Sequence, residues 1–346
     1  VDDDGAELSR AFFQQVVAPV MAERFPGLLL AAGRLGSGSD VLGLDDAVSR
    51  DHDWGLRLSL FVPADAVEEV DRELEQRLPD AFRGLPVRFA FTGATESQHH
   101  VEVSSVGEFA DARLGFDPRE GMSVTDWLSV SGQAALELTA GPVFVDATGE
   151  LSAVRGALRW YPDDVWRYVL ACDWIRIEQE LPLMGRAADV GDDLGSRVIA
   201  ARLAQTIMHL AFLLERRWPP YAKWFGSLFR TLACADEVQS SLHGALRAGN
   251  GADRQRGIAA ALEELNRHQT EIGLSDVHQA TVPFWDRPYV HPHPAIVAQL
   301  LDAVVEEEVR RLPRGRGSVE QRTDNVDVLV DAGARRAAVA LKPCTE

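Results

Sequence analysis

The spacing of apolar residues changes partway along this 346-residue chain, and that change constrains the fold more than any other feature. Up to about residue 150, helical spacing of three and four alternates with the every-second-residue spacing of strands. Beyond it, strand patterns nearly vanish. Residues 7–25 carry Leu8, Phe12, Val16, Val20 and Met21 on one helical face; Pro26-Gly27 then interrupts, and Leu28-Leu29-Leu30 reads as a buried strand. Residues 54–62 alternate Leu56, Leu58 and Leu60 with Arg57 and Ser59, predicting a second strand. A helix is expected over 63–78, a hairpin from 87–91 and 101–106 across Thr92-Gly93-Ala94, a helix over 124–138 and a short strand within 140–146. From there, 164–181, 196–217, 225–248, 257–268 and 295–311 each show the stripe of a bundle helix, and a short tail after Pro313 to Gly317 reads as strand-like. The expected class is α+β: a small mixed-sheet domain, residues 1–155, followed by an all-helical bundle domain, residues 156–346, with a short C-terminal tail.

Composition narrows the function classes. A chain that is 46% hydrophobic, with 8 Trp and 14 Phe, has apolar surface for more than one core. Its formal net charge of −18 repels phosphate backbones and anionic lipid, which argues against a nucleic-acid or membrane partner. Cys172, Cys234 and Cys344 are odd in number and far apart, which fits neither a disulfide framework nor zinc-ligand spacing. Asp2, Asp3 and Asp4 stand where a signal peptide would be basic, and the apolar stretches read as too short for a bilayer. The expectation is a cytoplasmic protein.

The chemistry concentrates in residues 35–55. A Gly-Ser turn at Gly36-Ser37-Gly38-Ser39, placed directly after a buried strand, brings backbone N–H groups and a hydroxyl close to an anion. Gly38 and Ser39 are therefore candidate triphosphate contacts. Asp51-His52-Asp53 follows at the mouth of the next strand, where the period of two sets both carboxylates on one face. Two carboxylates projecting together suit Mg²⁺. Glu102, between Val101 and Val103, lies on the polar side of its strand and is the candidate third acid, either completing the metal site or serving as general base. Arg50 would contact a phosphate or neutralise the aspartates. Lys223, held between Pro219-Pro220-Tyr221 and Trp224, is a candidate cation for the triphosphate. Glu178 is a weaker candidate for acceptor contact or base, Asp45 reads as part of a solvated turn, and the histidines at 99–100, 291 and 293 read as loop residues.

A Gly-Ser turn, about a dozen residues, an Asp-x-Asp strand and a later acid together resemble the DNA polymerase β-type nucleotidyltransferase superfamily. The mixed domain followed by a helical one is similar to its kanamycin nucleotidyltransferase-like branch. Residues 38–55, Gly191-Asp192-Asp193-Leu194-Gly195 and Pro220-Tyr221-Ala222-Lys223-Trp224 more closely resemble an uncharacterised bacterial family known as a domain of unknown function. In that superfamily the residue between the aspartates is usually apolar, whereas here it is His52. The resemblance implies a nucleoside triphosphate co-substrate, Ser39 as a phosphate contact and Asp51 and Asp53 as Mg²⁺ ligands. The expected reaction is transfer of a nucleotide to a hydroxyl of a small, aminoglycoside-like acceptor, and the reading leaves room for a homodimer. The alternatives are an NTP-binding sensor on the same fold and a protein AMP-transferase.

Overall fold

The computed structural model describes residues 4–46, 54–91 and 95–340. It is an α+β protein made of two compact units: residues 1–121 with 134–159, and residues 122–133 with 160–346.

The first unit is built on a five-stranded mixed sheet. Its strands come from a set numbered along the chain as β1 (Ala31–Gly33), β2 (Arg57–Phe61), β3 (Ala81–Phe82), β4 (Leu85–Pro86), β5 (Arg88–Phe89), β6 (Gln98–Ser104) and β7 (Val143–Asp146). The sheet order is β5-β6-β2-β1-β7, while β3 and β4 form a separate small hairpin. β2 and β6 run parallel, joined through the helix Val67–Arg77, and the remaining pairs in the sheet are antiparallel. In the β2–β6 register, Leu58 lies opposite Val101 and Leu60 opposite Val103, whereas Ser59 lies opposite Glu102 and Phe61 opposite Ser104. The alternation sends the first set into a core with Leu8, Phe12, Val70 and Leu74. The second set faces the other way, where Phe61 meets Phe109 edge-on at 5.0 Å.

Two sequence expectations shift in this unit. The first strand forms at Ala31–Gly33 rather than at Leu28–Leu30; Leu29 is 57% exposed. Between two neighbouring strands only small residues fit, since a Cβ at Gly33 would stand 2.7 Å from the carbonyl oxygen of Pro142. The N-terminal helix spans residues 5–24 but widens to π geometry over Phe13–Val17, where Pro19 cannot donate back to Gln15. The turn expected at Thr92-Gly93-Ala94 lies outside the described residues.

The second unit is helical, with Asp163–Asp189, Asp193–Leu214, Ala222–Phe229, Ala235–Arg247, Gly251–Glu271 and Pro294–Asp302 as its main helices. It also holds a two-stranded hairpin, β8 (Thr281–Pro283) with β9 (Val290–Pro292). Trp160, Trp166 and Trp174 are buried. Several expected helices are interrupted, and in each case a polar contact or a close approach intervenes. The helix over 124–138 stops at Ser129 and resumes at Gly132, where a Cβ would stand 2.1 Å from the carbonyl oxygen of Pro219. The helix over 225–248 breaks because Glu215 accepts the N–H groups of Ala233 and Cys234, both at 2.9 Å. That over 295–311 breaks because Asp164 accepts those of Val305 and Glu306.

The tail is helical rather than strand-like. Asn325 and Asp331 cap the short helices Val326–Leu329 and Ala332–Val339, and the buried Arg335 donates to the carbonyls of Ser129 and Leu329. The expectation about apolar stretches also needs correcting. Helix Asp193–Leu214 is long and apolar enough to cross a membrane by length and composition, and 56% of that apolar window is buried inside the protein.

Candidate functional site

β1 delivers Arg34 into the interior, where its guanidinium is only 2% exposed. A buried cation must be paired, and Asp40 answers it with two contacts, Nε to Oδ2 at 2.6 Å and Nη2 to Oδ1 at 2.9 Å. Arg34 also donates to the carbonyls of Leu35 and Ser37. The Gly36–Ser39 loop is thus wrapped around one charged side chain. Gly36 and Gly38 both have positive φ, +81° and +143°. A Cβ at Gly38 would stand 2.1 Å from Asp40 Oδ1 and 2.6 Å from Arg34 Nη2, so the turn excludes a side chain there.

No helix starts at this loop; residues 39–43 form turns. Their amides are used internally: Leu42 and Leu44 donate to Ser39, Gly43 to Asp40, and Val41 to the Asp40 carboxylate. Gly36 donates to Glu137. The N–H groups of Ser37, Gly38 and Ser39 have no acceptor among the described residues. Three successive amides at the glycine turn are therefore left open to solvent or to a ligand.

Two further guanidinium groups stand at the loop. Arg57, at the start of β2, donates to the Ser37 hydroxyl at 3.3 Å and lies over the Phe91 ring. Arg113, from the helix Val106–Leu114, lies 3.1 Å from where a Gly36 Cβ would be. Its Nη2 donates to both carboxylate oxygens of Glu102 at 3.2 Å, its Nε lies 3.4 Å from Glu137, and it stacks on Phe109. Arg113 therefore links Glu102 to the glycine loop on the sheet face away from the core.

The sequence-derived candidates are distributed as follows. Gly38 and Glu102 are brought to the same face of the first unit through Arg34, Arg57 and Arg113. The Ser39 hydroxyl donates to Asp45. Asp45, read from sequence as a solvated turn residue, instead organises the loop: it also accepts from the Gly5 N–H at 3.1 Å and the Trp54 indole at 3.0 Å. Arg50, Asp51, His52 and Asp53 lie outside the described residues. Lys223 belongs to the second unit, exposed on the helix Ala222–Phe229, with its ammonium 4.9 Å from the Trp224 ring centroid. Glu178 also lies in the second unit. Sequence reasoning missed Arg34, Asp40, Arg57 and Arg113. Arg34 carried a usable signal: an arginine between Gly33 and Leu35, at the end of a buried strand, requires an acid nearby.

Among the described residues no group of three His, Cys, Asp or Glu side chains is placed to hold a metal ion. Two of the three expected carboxylates are outside those residues. The expected donor set is entirely carboxylate, the oxygen chemistry that a hard divalent cation takes, and Glu102 is half-exposed.

Comparison with known proteins adds two findings. A family model described as "Domain of unknown function (DUF4037)" matches residues 127–225, a stretch that contributes to both units. A solved structure, a nucleotidyltransferase-like protein from Exiguobacterium sibiricum 255-15, is similar over 75% of this chain and 75% of that chain, with 12% identity and a TM-score of 0.32. A superposition that loose transfers neither residues nor activity. No curated protein matches the sequence. Neither finding supports the kanamycin nucleotidyltransferase-like branch expected from the domain arrangement.

Proposed function

We propose that this protein is a metal-dependent nucleotidyltransferase that moves a nucleoside monophosphate from an NTP to the hydroxyl of a small-molecule acceptor, releasing pyrophosphate. The observation that carries the reading is the Gly36–Ser39 loop, with three unpartnered amides and the guanidiniums of Arg57 and Arg113 beside it. Phosphate oxygens would accept from those amides, and the arginines would offset negative charge developing on the leaving group. Asp51, Asp53 and Glu102 would hold the cation, which when bound supplies charge neutralisation for the triphosphate. Alternatively, Asp51 and Asp53 alone would hold the cation and Glu102 would take the acceptor's proton.

The test is pyrophosphate release from each of the four NTPs with Mg²⁺ and a panel of hydroxyl-bearing acceptors. Asp51→Asn and Asp53→Asn should each lower it by about a hundredfold or more. Unchanged release in either variant overturns the mechanism. The pairing of Glu102 with Arg113 favours a second reading, an NTP sensor without turnover, because the third acid already has a cationic partner. NTP binding by calorimetry, with no pyrophosphate across the panel, would select it.

A further inference from the structure

The second unit contains a groove of about 480 Å³ whose lining includes Glu178, Gln179, Phe284, Trp285, His291 and Arg314. One wall is the helix Asp163–Asp189 and the other is the β8–β9 hairpin. The hairpin is fixed against the helix: a Cβ at Gly185 would stand 2.6 Å from the Tyr289 ring, and the Tyr289 hydroxyl donates to Asp189. Arg314 enters on a turn whose next residue, Gly315 (φ +77°), packs on Ile175. Pro182, inside the helix, removes the N–H that would otherwise occupy the Glu178 carbonyl.

Two observations single out this groove. Trp285, at the hairpin turn, is 83% exposed and has a φ of +56°, a left-handed conformation that is costly for a bulky residue. The side chains of Glu178, Gln179 and Arg314 have no hydrogen-bond or ion-pair partner among the described residues, and all three line the same small space, Gln179 and Arg314 at its exposed rim. Phe284 meets the His291 ring edge-on at 5.6 Å, which closes the aromatic side.

The chemistry of the lining selects the ligand. A cation would use the carboxylate and be repelled by the guanidinium; a phosphate would do the reverse. A carboxylate only accepts, a guanidinium only donates and an amide does both, so a ligand that uses all three must donate and accept around its edge. Hydroxyl groups do this. The exposed Trp285 indole offers an apolar face, to which the C–H face of a pyranose ring is complementary. We propose that this groove binds a neutral pyranose sugar, stacked on Trp285 and hydrogen-bonded through its hydroxyls to Glu178, Gln179 and Arg314. The groove's volume falls within the usual range for small-molecule sites, and binding requires neither nucleotide nor metal.

The test is saturation-transfer NMR on the full chain with millimolar methyl glucopyranoside, methyl galactopyranoside and methyl mannopyranoside. At least one should show transfer to its ring protons, while glycerol and methyl phosphate show none. Trp285→Ala and Glu178→Gln should each weaken affinity by about tenfold or more. Neither substitution removes a partner from the fold, and Arg314→Ala provides a third, surface-exposed check on the same loss. No transfer to any of the three sugars, transfer to methyl phosphate, or affinity that survives all three substitutions overturns the proposal.

Discussion

Arg34 and Asp40 stand six residues apart, and together they fix the conformation of the glycine loop. Both side chains are nearly excluded from solvent, so removing one leaves the other charge buried without a partner. Asp40→Ala is expected to cost about 3–5 kcal/mol by chemical denaturation, and the double variant Arg34→Met/Asp40→Leu should recover much of that loss. A second residue-scale prediction concerns Glu320. Burial pushes its carboxyl up to about 7 from an ordinary 4.5, against the opposing pull of His209. The unfolded chain releases this proton near pH 4.5 and the folded chain only near 7, so unfolding liberates a proton in between and stability falls as pH rises. His209 contributes in the same direction. Burial pushes it down, but the charge and hydrogen bond of Asp173, 2.6 Å away, prevail and raise it, so its stabilisation is complete below its ordinary 6.5 and is lost as pH rises through the higher folded value. Denaturation midpoints should therefore decline from pH 4.5 upward. Glu320→Gln should flatten the part below 6.5 and leave the later decline; an unchanged profile would contradict this.

Secondary-structure elements were legible where they depended on local periodicity and hidden where a distant side chain ended them. Asp163–Asp189 and Asp193–Leu214 follow from apolar residues three and four apart, and strand β2 follows from alternation, though its parallel pairing with β6 does not. The break after Asp302 does not, because its cause, Asp164, lies 141 residues before Val305. Asp164 is buried and accepts two backbone N–H groups, at 2.8 Å and 2.6 Å. Asp164→Ala should destabilise the protein by about 2–4 kcal/mol, with accelerated hydrogen exchange at Val305 and Glu306. Normal protection at those amides would show that the break has another origin. The same distinction holds for the candidate loop. Gly38 and Ser39 were visible as a local motif, while Arg113 was not, since only the fold brings its helix beside Glu102 and Gly36.

At the scale of the whole molecule, the chain forms two compact units, and the first is discontinuous, because residues 122–133 belong with the second. The reason is visible at the tail: Arg336 pairs with Asp126, and Arg335 donates to the Ser129 carbonyl. No sequence periodicity reports contacts spanning 206 and 210 residues. With a separate core in each unit, heating should give a calorimetric enthalpy larger than the van't Hoff value; equality of the two would contradict independent unfolding. The central functional claim is that the Gly36–Ser39 loop receives a triphosphate, and equilibrium binding tests it most directly. Titration calorimetry with Mg²⁺ and each NTP should show at least one nucleotide binding the wild-type chain. Gly38→Ala, which forces a Cβ against Asp40 and Arg34, and Arg57→Ala, which removes a cation from the loop, should each weaken that binding by about tenfold or more. Absence of binding by every nucleotide, or equal affinity in wild type and both variants, would contradict the account.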